Sequence, residues 1–451
     1  EDASGVDLSQ FRRWYSQAGT PHIAVDEAYD ASSGRYQLEL SQHTAATPGQ
    51  DSKQPFHIPV RVALLDDKGE SMPFTVDGDH SEIGSDDYSA VLNLKQQRQT
   101  YSFEGIPGKP VVSILQGYSA PVALEFERSD EELAFCMAHE KDEFNRWEAG
   151  QQLSTRLIID MVAKINASMP LELPDFYLDA CRKTLNDKAT DKALIARALT
   201  LPSLSYIGEQ MDVVDVDAIH AAREFIHQHL AASLADDFSR VYESNRQQYY
   251  HLNPQAMAER FLKNQALAYL MYTPEQGRQL SEEQYDAAGN MTDQMAAFRC
   301  LVHHETAVAD EIIERFYQQW KDDNLVIDKW FTVQATVPHE SAKQRVLALF
   351  EHDDFDIRNP NRLRSLLGAF CSANPICFHS LDGAGYSLLG QYIEDLDSIN
   401  PQIASRLCVP LTRWRRYNEA RQRMMRSELQ RLSALQGLSR DVSELVEKSL
   451  A

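Results

Sequence analysis

Three His-Glu pairs in the chain call for a test against the zinc-binding H-E-x-x-H helix. In that helix a second histidine stands four residues after the first, so that both imidazoles meet one ion on the same face. The pairs begin at His139, His304 and His339. The positions four residues further on hold Glu143, Val308 and Lys343. The spacing therefore assigns no catalytic residue and no metal ligand in this chain.

Other donor-rich stretches also lack the spacing of a site. His227 and His229 are two residues apart and His303 and His304 are adjacent, and on a helix such pairs do not face each other. Carboxylates cluster at 236–237, 322–323 and 353–356, as solvated loops and helix N-termini of an acidic protein commonly do. There is no G-x-S-x-G elbow and no phosphate-binding glycine loop. We interpret these histidines as surface or core residues.

Two arginines have positions that fit a substrate contact. Arg364 flanks an apolar stripe with i, i+3, i+4, i+7 spacing that begins at Leu363, and Arg406 lies on a helix that begins at Asn400-Pro401. In an acidic protein an inward guanidinium is a ready partner for a peptide carboxylate. The alternative is a snorkelling or ion-paired surface arginine, and the spacing alone favours it.

Composition narrows the class of protein. The 451 residues include 44 basic and 67 acidic side chains, a formal net charge of −23, which disfavours nucleic acid and anionic membranes as partners. The six cysteines form no C-x-x-C pair and stand among apolar neighbours, as buried free thiols do. With no signal peptide at the N-terminus, these features predict a reducing, cytoplasmic location.

The spacing of apolar residues, which indicates the type of secondary structure, changes along the chain. Residues 1–21 read as a helical tail that stops at Gly19 and Pro21. Residues 22–128 alternate apolar and polar side chains between turn sequences, which predicts a small antiparallel β-sandwich. Residues 129–451 have helical periodicity throughout, and Ser129 begins a capping box. So many short helices predict an α-solenoid of stacked helix pairs, an α-superhelical domain.

Long motifs in this order resemble the C-terminal portion of bacterial aminopeptidase N, a zinc-dependent alanyl aminopeptidase of the gluzincin metalloprotease family. The segments that carry the resemblance are Glu1–Pro21, N-M-T-D at 290–293, L-V-I-D-K-W-F at 325–331, Asn359–Tyr386 and N-P-Q-I-A-S-R at 400–406. The sandwich region is less similar. The likeness covers the whole chain and leaves out the catalytic domain.

The resemblance implies that catalysis and the enclosure of substrate belong to different domains. In that family a thermolysin-like domain carries G-x-M-E-N and H-E-x-x-H, and neither motif occurs here. Residues 1–21 then correspond to the end of the catalytic domain, 22–128 to the β-sandwich and 129–451 to the superhelix that encloses a substrate chamber. Arginines of the superhelix line that chamber in the family, and Arg364 and Arg406 match their motif positions.

We therefore expect a non-catalytic C-terminal region of a zinc aminopeptidase that shapes the chamber and restricts access to it. Its expected partners are peptide substrates and the N-terminal and catalytic domains of the parent. Zinc would bind to the parent and no cofactor to this chain, which alone should be inactive. The alternative is a free-standing α-solenoid that holds a peptide or protein. An independent hydrolase with an unrecognised site is the third hypothesis.

Overall fold

The chain begins with β-strands and continues with helices, as the change in period predicts. The computed structural model describes residue 5, residues 7–84 and residues 88–451, and residues 1–4, 6 and 85–87 lie outside the described part. The described strands are β1 (His22–Asp30), β2 (Arg35–His43), β3 (Ile58–Leu65), β4 (Thr75–Asp77), β5 (His80–Gly84), β6 (Ser89–Leu94), β7 (Arg98–Glu104), β8 (Val111–Ile114) and β9 (Ala123–Glu125).

These strands form two sheets. One has the order β4-β7-β2-β1-β9 and the other β5-β6-β3-β8. The described pairings are antiparallel except that of β1 with β9, which is parallel. Along β2, Tyr36, Leu38 and Leu40 are fully buried and alternate with side chains that reach solvent. The predicted β-sandwich is confirmed, with one short parallel pair at the edge of a sheet.

The predicted helical tail at residues 1–21 is described only in part, because residues 1–4 and 6 lie outside the described residues. What is seen is a single turn, α1 (Arg13–Ser16). Trp14 packs against Phe56 with ring centroids 4.5 Å apart, and its Nε1 donates to the carbonyl oxygen of His57 at 2.9 Å. Tyr15 is 88% exposed. The side-chain contacts of Trp14 with the sandwich help to hold this segment in place.

The α-helices that follow the sandwich account for most of the remaining described chain. They are α2 (Asp130–His139), α3 (Glu143–Asn166), α4 (Asp175–Leu185), α5 (Lys192–Ala198), α6 (Leu204–Glu209), α7 (Val216–Ser233), α8 (Ala235–Ser244), α9 (Pro254–Leu270), α10 (Pro274–Ala287), α11 (Met291–His303), α12 (Ala309–Trp320), α13 (Asn324–Ala335), α14 (Ser341–Phe350), α15 (Pro360–Leu363), α16 (Ala369–Ala373), α17 (Pro375–Phe378), α18 (Ala384–Asp397), α19 (Pro401–Leu407), α20 (Val409–Thr412), α21 (Glu419–Ser433) and α22 (Arg440–Leu450).

Contacts divide the chain into two compact units. The first comprises Glu1–Ser154 with Pro174–Leu199, and the second Thr155–Leu173 with Thr200–Ala451. The first unit contains the core of the sandwich, and the second contains a continuous apolar core that extends from Tyr285 to Val446. The domain boundary between residues 128 and 129 stays a prediction.

The helix starts follow the sequence signals. Asn253, Asn359, Asn374 and Asn400 each cap a helix through the side-chain oxygen, with proline at the next position. Ser129 Oγ accepts from the backbone N–H of Glu132 at 3.2 Å and begins α2. Each cap satisfies backbone donors that have no partner within the first helical turn.

The apolar stripe beside Arg364 is buried as predicted. Leu363, Leu366, Leu367 and Phe370 are all fully buried. Between α15 and α16 the backbone forms a π-helical turn over Arg364–Gly368, which the spacing did not predict. Such turns insert one residue into a helix and change the direction of the side chains around them.

The six cysteines are buried free thiols, in agreement with the sequence interpretation. Burial raises the pKa of Cys181 and of Cys300 to about 12, so both stay protonated at neutral pH. Among the described residues, no helix combines the length and the apolar character that crossing a bilayer requires.

Candidate functional site

An open groove of about 920 Å³ lies in the second unit. It is lined by side chains of α9, α11 and α13 and by the segment around the π-helical turn. On α11 the lining residues Met291, Met295 and Arg299 are four positions apart, and on α13 Leu325 and Lys329 have the same spacing. Residues four apart lie one above another on a helix face, so each helix contributes a row of side chains to the groove.

Three cations line the groove. Arg299, Lys329 and Arg364 are exposed, and within the described part of the chain none of them forms an ion pair. Arg364 donates from Nε to the carbonyl oxygen of Pro360 at 3.0 Å and from Nη2 to Oδ1 of Asn361 at 2.8 Å. Both acceptors are neutral. The groove thus carries uncompensated positive charge in a protein whose net charge is −23.

One carboxylate also lines the groove, but an arginine beneath it already binds it. Asp328 accepts from Nη1 of Arg362 at 2.8 Å, and Arg362 is only 3% exposed. Because this buried pair compensates the charge of Asp328, the cations nearby remain available to an anionic ligand. A carboxylate or a row of carbonyl oxygens is the chemistry that guanidinium and ammonium groups recognise.

The groove also exposes large apolar side chains. Phe261 is 55% exposed and Leu325 is 67% exposed, and Met291 and Met295 lie beside them. Unbranched methionines adapt to ligands of different shape, and exposed apolar patches commonly mark binding surfaces. Apolar surface next to cations suits a peptide of variable sequence.

A second cavity of about 490 Å³ in the same unit differs in its electrostatics. Its Arg413 forms an ion pair with Glu209 at 2.5 Å, and Arg416 donates to the carbonyl oxygens of Gly208 at 2.9 Å and Met211 at 2.5 Å. The basic side chains are therefore already engaged. For this reason we assign the candidate site to the groove of Arg364.

A third cavity of about 410 Å³ is lined by His303, His304 and His339 of the sequence pairs and also by His220. Nε2 of His303 lies 3.0 Å from the carbonyl oxygen of Val333, and burial lowers the pKa of His303 to about 3. Burial also lowers the pKa values of His220 and His304. The rings of His220, His303 and His304 are neutral at physiological pH.

A carboxylate shares that cavity. Burial tends to raise the pKa of Glu224, but a hydrogen bond from His227 and further polar contacts bring it down to about 2. The hydroxyl of Tyr272 donates to both carboxylate oxygens at 3.1 Å. His229, by contrast, is exposed and lies 2.9 Å from the carbonyl oxygen of Phe225 on its own helix. His227 and His229 therefore have different surroundings and do not form a pair.

The two arginines singled out in the sequence lie in different places. Arg364 lines the groove, whereas Arg406 is an exposed residue on α19 and is not among the groove's lining residues. No hydrogen bond or ion pair joins the Arg406 side chain to another described residue. The chamber-lining role predicted for both residues stays a prediction.

Arg299 and Lys329 were not predicted from the sequence as site residues. Both follow an apolar lining residue by four positions on their helices, Met295 and Leu325 respectively. That spacing indicates a shared helix face, but only the packing of α11 beside α13 shows that the two faces border one groove.

A second group of donors lies on the sandwich. The possible ligand atoms of His22, His43 and Glu125 all lie within 4.8 Å of one another. Among the described residues, these three side chains form a group that could hold a metal ion. The pairing of the two histidines could have been predicted from the sequence. In an antiparallel hairpin in which Asp30 lies opposite Arg35, counting eight residues back along β1 and eight forward along β2 places His22 opposite His43. The position of Glu125 needs the parallel pairing of β9, which no local signal predicts.

Comparison with known proteins adds independent information. Residues 130–451 match a family model described as a domain of unknown function (DUF3458_C) with ARM repeats. Residues 19–127 match one described as a domain of unknown function (DUF3458) with an Ig-like fold.

Curated relatives match the whole chain. Aminopeptidase N of Escherichia coli (strain K12) is 41% identical over 452 residues, which cover 100% of this chain and 51% of that protein. Aminopeptidase N of Haemophilus influenzae is 38% identical, again with 100% and 51% coverage. The protein of the same name from Caulobacter vibrioides is 36% identical, with 100% and 50% coverage. The chain thus spans about half the length of these relatives.

A solved structure agrees with these matches. The crystal structure of Legionella pneumophila aminopeptidase A in complex with aspartic acid aligns with a TM-score of 0.80 and 29% sequence identity. The alignment covers 100% of this chain and 51% of that one.

Proposed function

Since the chain belongs to the DUF3458_C family of ARM-repeat domains and is homologous along its length to about half of aminopeptidase N, we propose that it is the C-terminal region of a zinc metallo-aminopeptidase. The whole enzyme removes N-terminal residues from peptides. This region shapes the substrate chamber and restricts access to it, and the chemistry belongs to the other half. The proposed location is the cytoplasm.

The observation that supports a peptide-binding role within this proposal is the groove with Arg299, Lys329 and Arg364. A peptide that presents its N-terminus to a distant catalytic centre has its C-terminal carboxylate and backbone carbonyls elsewhere in the chamber. Three cations without carboxylate partners among the described residues supply donors for those groups, and the apolar side chains supply contact that does not depend on sequence.

Among the described residues of this chain, no H-E-x-x-H helix is present to hold the catalytic zinc that the family implies. His139 begins a pair at the end of α2 and His339 lies outside the helices, so neither stands on an H-E-x-x-H helix. The donor cluster of His22, His43 and Glu125 lies on a sheet face and is at least half open to solvent at Glu125. We therefore assign no catalytic step to a metal held by this chain.

The alternative function is a free-standing α-solenoid that holds a peptide or protein in the same groove. The volume of about 920 Å³ and its mixed lining suit such a scaffold equally well. The two functions differ in what accompanies the chain. Reading the gene upstream of Glu1 separates them, because the aminopeptidase requires an H-E-x-x-H region there and the scaffold does not.

The biochemical experiment compares the 451-residue chain with the complete gene product on an aminoacyl-arylamide. We expect turnover by the complete protein and none by the chain, with or without added zinc. Turnover by the chain that survives repurification and is abolished by a chelator would contradict the proposal and favour an independent hydrolase. A complete gene product without aminopeptidase activity would favour the scaffold.

A further inference from the structure

Three neighbouring strands bring metal-ligating side chains to one face of the five-stranded sheet. His22 of β1 lies directly opposite His43 of β2 in the antiparallel register. In the parallel register of β9, Ala123 pairs with His22 and Glu125 pairs with Ala24. Because side chains two residues apart point to the same face of a strand, His22, His43 and Glu125 share one face. Ile23 is fully buried, so this is the face away from the core.

The distances between the three donors are close to those between the ligand atoms of a metal site. Nδ1 of His22 lies 2.7 Å from Oε1 of Glu125, and the rings of His22 and His43 are stacked with centroids 4.8 Å apart. In a tetrahedral zinc site with metal–ligand bonds of about 2.1 Å, the ligand atoms are separated by about 3.4 Å. The observed separations, from 2.7 Å to at most 4.8 Å, bracket that value. Small side-chain rotations at the surface suffice to equalise them.

We propose that His22, His43 and Glu125 form a binding site for a divalent transition-metal ion of the zinc, nickel and copper class. Two imidazoles and one carboxylate suit these borderline cations better than magnesium or calcium, which prefer oxygen ligands alone. With Nδ1 of His22 donating its lone pair to the ion, the imidazole proton resides on Nε2. Three protein ligands leave the fourth position to water.

The site joins three strands that backbone hydrogen bonds and the contact of His22 with Glu125 already hold together. β9 has three residues, Ala123–Glu125, and forms the edge of its sheet beside β1. An ion bound by Glu125 and the two histidines links this short edge strand to β1 and β2. Since metal binding to the native state alone raises its stability, the sandwich should melt at a higher temperature when the ion is bound. The site is independent of the proposed peptidase activity.

Titration calorimetry of the 451-residue chain with zinc chloride tests the proposal. We expect one Zn²⁺ per chain at this cluster, reversal by EDTA and no binding of Mg²⁺. His43→Ala and Glu125→Gln should each weaken zinc binding roughly tenfold or more, because a ligand is lost. His80→Ala is the matched control, since His80 is an exposed histidine on β5 of the same sandwich, and it should leave zinc affinity unchanged. Circular dichroism of each variant reports whether the fold is retained.

A second measurement needs no substitution. Diethylpyrocarbonate modifies accessible imidazole nitrogens, and mass spectrometry locates the products. Zinc should protect His22 and His43 from modification and leave His80 reactive. The proposal is overturned if zinc fails to bind, if the ligand variants bind zinc as tightly as the unaltered chain, or if zinc gives His22 and His43 no more protection than His80.

Discussion

Arg362 donates from Nη1 to Oδ1 of Asp328 at 2.8 Å, an ion pair between residues 34 positions apart in the sequence. Nη2 of Arg362 also donates to Oδ1 of Asn324 at 3.1 Å, and its guanidinium lies 5.1 Å from the ring centroid of Phe331. The pair joins α13 to the segment that carries Arg364. It therefore supports one wall of the groove from beneath, while Arg364, two residues later, faces solvent.

Replacing Arg362 by alanine should destabilise the protein by about 3–5 kcal/mol. The substitution leaves Asp328 without its partner, and breaking a buried pair costs far more than the pair contributes in net stability. Urea unfolding at pH 7 measures the change. Arg364→Ala is the matched control, because Arg364 is exposed, and it should change the free energy of unfolding by about 0.5 kcal/mol or less. Equal losses in both variants would contradict the assignment of separate roles.

Two buried histidines should make stability depend on pH below neutrality. Burial lowers the pKa values of His303 and His379 to about 3, whereas histidine in an unfolded chain has a pKa near 6.5. Between those values the unfolded chain binds a proton at each position that the folded chain does not. The free energy of unfolding should therefore fall as pH decreases from about 6.5, by up to about 1.4 kcal/mol per pH unit for each histidine.

His303→Gln tests this dependence, because the glutamine amide can still donate to the carbonyl oxygen of Val333, which lies 3.0 Å from Nε2 of His303. The variant should show a shallower loss of stability between pH 6 and pH 4, measured by urea unfolding at several pH values. A variant whose stability differs from the original by the same amount at every pH would show that His303 does not titrate as described.

Fragments should locate the domain boundary. We expect residues 22–128 to fold alone, because the sandwich has its own fully buried core, including Tyr36 and Phe103. A fragment of residues 22–154 should unfold at a higher urea concentration, since Asn145 donates from Nδ2 to the carbonyl oxygen of Ile114 at 2.9 Å within the same unit. Poor amide dispersion in the spectrum of residues 22–128 would show that the boundary lies elsewhere.

In the proposed complete aminopeptidase, Arg406→Ala should reduce kcat/KM for a longer peptide and leave that for a small arylamide nearly unchanged. Arg406 is exposed on α19 and donates no hydrogen bond to another described side chain, so its guanidinium is available to a ligand. Steady-state kinetics on the two substrates measure the ratio. A uniform loss on both would point to a structural role instead.

Much of the fold could be predicted from local signals. Alternation of side chains predicted strands such as β2, and Asn-Pro dipeptides marked helix starts, because both depend on residues close together in the sequence. The parallel pairing of β1 with β9 and the π-helical turn at Arg364 could not be predicted this way. They depend on packing between distant segments, which one sequence does not encode in a local period.

Some residues of the candidate site could be predicted from local sequence signals and others could not. Arg364 could be identified from its motif and its neighbouring apolar stripe. Arg299 and Lys329 could not, because their relevance arises only when α11 and α13 border one groove. The ion pair of Asp328 with Arg362 could not be predicted either, because the two residues are 34 positions apart and only the packing brings them together.

The most direct test of the proposed function is the effect of Arg364→Ala on two substrates of the complete aminopeptidase, a longer peptide with a free C-terminal carboxylate and a small aminoacyl-arylamide. A charge-assisted hydrogen bond contributes about 1.5–3 kcal/mol, so its loss should lower kcat/KM for the peptide roughly tenfold or more. The arylamide has no C-terminal carboxylate for Arg364 to bind, so its kcat/KM should change little. Equal effects on both substrates, or no effect on either, would contradict a role for this groove in holding peptide.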